Sequence, residues 1–99
     1  MGRKSREKPA RLGDKLLQIR LALELSQSQM LRLIRGEEED RTYRHLISEY
    51  ESGKRAPSLL EVLAYARAAG ISMEKLVDDK LDLPKRIPPL KRRAKNKDG

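Results

Sequence analysis

The side chains with the most chemical capacity in this 99-residue chain fall within residues 44–55. Arg44, His45, Ser48 and Glu49 bring together a guanidinium, an imidazole, a hydroxyl and a carboxylate, and Lys54 and Arg55 follow closely. His45 is the only histidine and cysteine is absent. No disulfide framework or thiolate metal site is therefore available, and one imidazole cannot make a metal site alone. No nucleophile, carboxylate–histidine pair or second ligand is placed to make His45 a catalytic base, and there is no glycine-rich phosphate loop. Enzyme is the least favoured class, and no metal or cofactor is expected. What the set can do is donate and accept hydrogen bonds from a solvent-facing surface.

The stretch S-E-Y-E-S-G-K-R-A-P-S, residues 48–58, shows how such side chains are positioned. Gly53 stands where a helix needs a left-handed C-terminal residue, which glycine adopts without steric cost. Lys54 and Arg55 then sit in a turn. Ser58 has Glu61 three residues on, the spacing at which each side chain satisfies a free backbone N–H at a helix start.

Five helices are predicted around this junction. Leu12, Leu16, Ile19 and Leu23 recur at the period of one helix face over residues 12–25, with Leu17 and Leu21 beside it. Ser26 and Gln29 form a second capping-box spacing, opening a helix that stops near Arg35 and Gly36. The third helix is predicted over residues 42–52, capped by Thr42, with Ile47 and Tyr50 inward and Arg44, His45, Ser48 and Glu49 toward solvent. A fourth covers residues 59–69 and ends at Gly70; Ser72 starts a fifth through Val77. Strand signals are absent.

Taken with the flanking L-E-L-S-Q-S-Q-M and L-L-E-V-L-A-Y-A-R-A-A-G-I-S, this stretch resembles the phage-repressor-like (Xre/Cro-type) helix-turn-helix family, over residues 12–77. The resemblance implies an all-α, compact five-helix lambda-repressor-like domain that binds double-stranded DNA, its third helix in the major groove. It implies that Arg44, His45, Ser48 and Glu49 read bases. Arg44 suits a guanine edge and Glu49 a cytosine amino group. Gln27, Gly53, Lys54 and Arg55 are implied as phosphate contacts, with Arg41 counted among them. Arg20 and Glu51 match an ion pair tying the first helix to the end of the third. The chain departs from the family where Leu31 replaces a small residue, Arg35 falls near a usual glycine, and Glu37-Glu38-Glu39-Asp40 enlarge the turn before the third helix.

The net charge of +8 is unevenly distributed. Residues 1–11 hold five cations and one anion, residues 84–99 seven cations and one anion, and residues 12–83 eleven cations and thirteen anions. The organisation expected is a basic, disordered arm at 1–11, a slightly acidic helix-turn-helix domain at 12–80, and a Pro-rich, basic extension at 81–99. Such tails neutralise phosphates without reading sequence. Leu81, Leu83, Ile87 and Leu90 are too apolar for a solvated tail, and are expected to dock on Leu17 and Leu21 or to join a dimer interface. No run of about 18 apolar residues or signal-peptide pattern is present, so the expectation is a cytoplasmic protein with no membrane association.

The leading expectation is a small transcriptional regulator, two copies meeting on a pseudo-palindromic site. The alternative is an interaction module of the same fold, an antitoxin or accessory subunit, engaging a protein partner through Leu17, Leu21 and the C-terminal segment. RNA binding by the tails ranks third, for want of aromatic platforms.

Overall fold

The computed structural model describes residues 9–36 and 45–90. Among these residues there are five helices and no strand: α1 (Leu12–Ala22), α2 (Gln27–Arg35), α3 (Leu46–Ser52), α4 (Leu59–Ala69) and α5 (Met73–Val77). No helix of the described residues is long and apolar enough to cross a membrane.

Local chemistry sets most of the helix ends. The Ser26 hydroxyl accepts the Gln29 N–H at 3.0 Å while the Gln29 amide oxygen accepts the Ser26 N–H at 2.8 Å. Ser58 and Glu61 form the same reciprocal pair at the start of α4, at 3.2 and 2.9 Å. Gly53 and Gly70 close α3 and α4 with φ of 83° and 74°, where a Cβ is disfavoured.

Two predicted helices are longer than those observed. α1 ends at Ala22 rather than at residue 25, because Glu24 takes a left-handed φ of 62°. The Glu24 N–H then donates to the Leu21 carbonyl and the Leu25 N–H to the Arg20 carbonyl, the pairing that closes a Schellman turn. α3 begins at Leu46, with His45 as its flanking residue, rather than at residue 42. The first bond of its ladder runs from the Glu49 N–H to the His45 carbonyl. Thr42, Arg41, Arg44 and the acidic run at 37–40 lie outside the described residues.

Leu12, Leu16, Ile19 and Leu23 of α1 bury one face against Met30, Leu46, Ile47, Tyr50, Val62, Tyr65, Ala66, Ala69 and Leu76. α1 is the central element, touching α3, α4 and α5. Its first turn contains Gly13, where a Cβ would lie 2.8 Å from the Glu51 carbonyl oxygen and 3.0 Å from that of Tyr50. The missing side chain is what lets the end of α3 lie directly on α1.

The C-terminal segment belongs to this folded unit. The Asp79 carboxylate accepts the Ala10 and Arg11 N–H groups at 2.8 and 3.0 Å, satisfying donors left free at the start of α1. The Arg11 guanidinium reaches the Asp79 and Leu81 carbonyls and the Asp82 carboxylate. The Lys15 side chain is 1% exposed, and its ammonium donates to the carbonyls of Lys75, Asp78 and Leu81 at 2.7, 3.0 and 2.8 Å. All three of its protons are thereby used, as a buried ammonium requires. Leu83, Ile87 and Leu90 then pack on the core. Hydrogen bonds thus join residues 10–15 to residues 75–82. Leu21 remains 58% exposed, so docking of this segment does not bury it.

Gly13→Ala tests the close approach of α1 and α3. In a free helix that change stabilises by about 1 kcal/mol; here the overpacking cost of about 1 to 3 kcal/mol should prevail, and the midpoint of denaturant unfolding should fall.

Candidate functional site

Seven residues make fewer than two turns, so α3 takes its position from polar anchors on either side of its buried face. At one end Arg20 Nε donates to Glu51 Oε2 at 2.6 Å and Nη2 to Oε1 at 3.1 Å, a bidentate pair whose side chains are 13% and 8% exposed. Arg20 Nη1 also donates to the Leu25 carbonyl at 3.0 Å, and the Gln27 amide donates to Glu51 Oε1 at 3.2 Å. One carboxylate therefore joins α1, the start of α2 and the end of α3. The hydrogen bonds that Arg20 donates to Glu51 raise its pKa above the usual value, against the opposing effect of burial.

Glu61 supplies the second anchor. Its Oε1 accepts from the Tyr50 hydroxyl at 2.5 Å and from the Ser58 N–H at 2.9 Å, and its Oε2 from Arg35 Nε at 2.9 Å. Burial, the largest single influence, pushes the Glu61 carboxyl up. The Tyr50 hydroxyl, the Ser58 N–H and Arg35 together outweigh it and hold the group below its ordinary 4.5. The same site pushes the Tyr50 phenol up, through burial first and then its bond to Glu61.

Between these anchors α3 turns His45 and Ser48 outward, and both are exposed. Glu49, expected to be exposed, is half-buried, and its Oε1 accepts from Arg55 Nε at 2.9 Å. His45, Glu49 and Arg55 line one open cleft of about 500 Å³ with Arg35, Tyr50, Ser58 and Glu61. Arg44 and Arg41 lie outside the described residues.

Several of the expected phosphate contacts are already engaged by the fold. The Gln27 amide is turned to Glu51. In the turn after α3, the Gly53 N–H donates to the Tyr50 carbonyl, the Arg55 N–H to the Glu49 carbonyl, and the Lys54 N–H to the Ser52 hydroxyl. The turn therefore offers the exposed side chains of Lys54 and Arg55, not a row of open backbone donors. Among the described residues, no group of three or more Asp, Glu, His or Cys side chains could hold a metal ion.

Sequence reasoning found Arg20 and Glu51 through family resemblance, and Glu61 only as a capping residue. It did not find Arg35 or Tyr50 as partners of Glu61, nor Lys15. The capping box was the one available signal, since a buried glutamate at that position has a second oxygen to satisfy. Comparison with known proteins finds no matching family model, no matching curated protein and no matching solved structure.

Arg20→Ala should strand the buried Glu51 carboxylate and cost about 3 to 5 kcal/mol in denaturant unfolding. For Glu61 the pH sign is fixed by its lowered folded pKa. Its contribution is present above the unfolded value near 4.5 and is lost as pH falls through the folded value. Glu61→Gln should cost about 1 to 3 kcal/mol at pH 7 and flatten the acid limb below pH 4.5 relative to wild type.

Proposed function

We propose that this chain binds duplex DNA sequence-specifically, as a small lambda-repressor-like transcriptional regulator that places α3 in the major groove. The observation that carries the reading is the fixing of so short a helix from α1, α2 and α4, through Glu51 and Glu61, with His45 and Ser48 left facing solvent. Rigid support behind a polar outer face is what base readout requires, because a hydrogen-bonding side chain discriminates only if its backbone is held. Lys54 and Arg55 stand at the end of that helix, where a phosphate strand would pass. Arg44 and Arg41 enter the reading through the family resemblance.

The tails complete the electrostatics. Residues 12–83 carry a charge of −2, so attraction to a polyanion has to come from the basic ends. Pro9 and Ala10 line a cleft of about 300 Å³ with Ser52, Gly53, Arg55 and Pro57. Pro9 and Ala10 thus lie beside the basic turn. One helix reads only a few base pairs, so two copies would share a pseudo-palindromic site.

A second reading, a protein-interaction module of the same fold, is favoured by a separate observation. Leu21 and Leu33 are 58% and 42% exposed, and Leu25, Leu33 and Leu90 line a largely apolar groove of about 430 Å³.

Selection from a random duplex library separates the two. Wild type should enrich a motif that disappears in the Arg44→Ala, His45→Ala double variant. Deletion of residues 1–8 and 91–99 spares Ala10, Arg11 and Leu90. It should leave the motif intact while weakening binding to all sequences, each lost phosphate contact lowering the log–log salt slope by about 0.9. Capture of one protein with no motif enriched would favour the interaction module.

A further inference from the structure

α4 reads L-L-E-V-L-A-Y-A-R-A-A and is apolar around most of its circumference. Glu61, Val62, Tyr65, Ala66 and Ala69 are buried and form the side that meets the rest of the fold. Leu60, Leu63, Ala64 and Arg67 follow the i, i+3, i+4, i+7 spacing of the opposite face. Leu60 is 73% exposed and Leu59, at the edge of that face, 71%; Leu63 and Ala64 are half-buried and Arg67 is exposed. Single exposed leucines are ordinary, but two adjacent ones at the head of a stripe that continues through Leu63 and Ala64 are not. A helix that is apolar on both sides is ordinarily covered on both. The one charge on the stripe is that of Arg67, and among the described residues no carboxylate pairs with it.

We propose that the outer face of α4 docks an acidic amphipathic helix of a partner protein, with apolar side chains laid along Leu60, Leu63 and Ala64 and a carboxylate set against Arg67. This stands apart from the DNA reading, since none of these residues is assigned to a base or a phosphate. From Leu60 to Arg67 the stripe rises about 10 Å, or two turns, and the side-chain rows of one helix face match those of another. Ala64, small and on the stripe between Leu60 and Arg67, leaves room for a second backbone to approach. Charge opposes a second copy of this chain as the occupant. Parallel pairing of two α4 helices sets one Arg67 guanidinium beside the other, and antiparallel pairing sets each against the N-terminal end of its partner helix, where the dipole is positive. A carboxylate opposite Arg67 replaces that repulsion with attraction, and the net charge of +8 speeds encounter with an acidic surface. A phosphate backbone is met by polar and cationic groups, so two leading leucines do not suit duplex DNA.

The test uses the full chain and two synthetic amphipathic peptides of about 18 residues, long enough to hold a helix. Both carry leucines at i, i+3, i+4 and i+7, flanked by glutamates in one and by lysines in the other. Amide chemical-shift mapping and fluorescence anisotropy are read at peptide concentrations up to about 1 mM. The glutamate peptide should move the amides of residues 59–67 and bind at least about tenfold more tightly than the lysine peptide. Leu60→Lys should weaken the glutamate peptide about tenfold although it adds a cation, which separates docking on the stripe from general attraction to a basic chain. Arg67→Glu should reverse the order of the two peptides. Leu60 and Arg67 are exposed, so neither change disturbs the core, and thermal unfolding of each variant checks this. Equal affinity for the two peptides, or no change at residues 59–67, overturns the proposal. A concentration-dependent dimer in sedimentation that Leu60→Lys abolishes also overturns it, by making a second copy the occupant. Duplex DNA that moves the amides of residues 59–67 when neither peptide does overturns it in favour of a nucleic-acid contact.

Discussion

The placement of α3 depends first on the ion pair between Arg20 and the Glu51 carboxylate. A seven-residue helix has too few internal hydrogen bonds to hold its own geometry. Glu51 takes the Arg20 guanidinium in a bidentate grip and the Gln27 amide as well, so α1, α2 and α3 meet on one group. That arrangement works only because α1 and α3 approach closely, and Gly13 supplies the space. Glu61 repeats the device on the other flank, where a helix-capping residue also receives Tyr50 and Arg35. The inner face of α3 is thus specified by charge-assisted bonds of fixed geometry, which aliphatic contacts alone do not provide.

The opposite side of α1 is fixed by equally specific chemistry with a different consequence. Lys15 and Arg11 gather the carbonyls at the end of α5 and in the turn beyond it, and Asp79 returns the favour to the start of α1. Burial lowers the Lys15 pKa, with the Arg11 cation acting in the same direction and Asp79, Asp82 and Asp78 opposing both. The clasp ties residues 75–82 to the start of α1, and Leu83, Ile87 and Leu90 pack against the core beyond it. A domain whose interior is rich in Leu and Ala and lacks Phe and Trp gains rigidity from these polar fixings.

Much of the fold was legible because its signals are local. The capping boxes at Ser26 and Ser58 and the glycines at 53 and 70 act within a few residues, and the Leu12, Leu16, Ile19, Leu23 spacing reports directly on one helix face. The misread helix ends also have local causes, but of a kind that sequence leaves open. Glu24 adopts a left-handed φ that its residue type does not favour, because the Schellman bonds around it outweigh the steric cost. Lys15, Arg35 and the second role of Glu61 were not legible, since their partners lie 11 to 66 residues away. Glu49 was read as a free acceptor, and only the folded turn brings Arg55 to it. The Gln27 amide nitrogen and the turn N–H groups make bonds within the fold that residue type alone does not reveal.

The proposed DNA-binding face is α3 with the turn after it. Amide chemical-shift mapping of the isotope-labelled full chain, titrated with a mixed-sequence duplex, tests it most directly. The predicted result is that the largest changes fall on residues 45–55 and on the first turn of α2, while Leu21, Leu33 and Val77 stay unmoved. Changes confined to the groove of Leu25, Leu33 and Leu90, or none within α3 at saturating duplex, would contradict it.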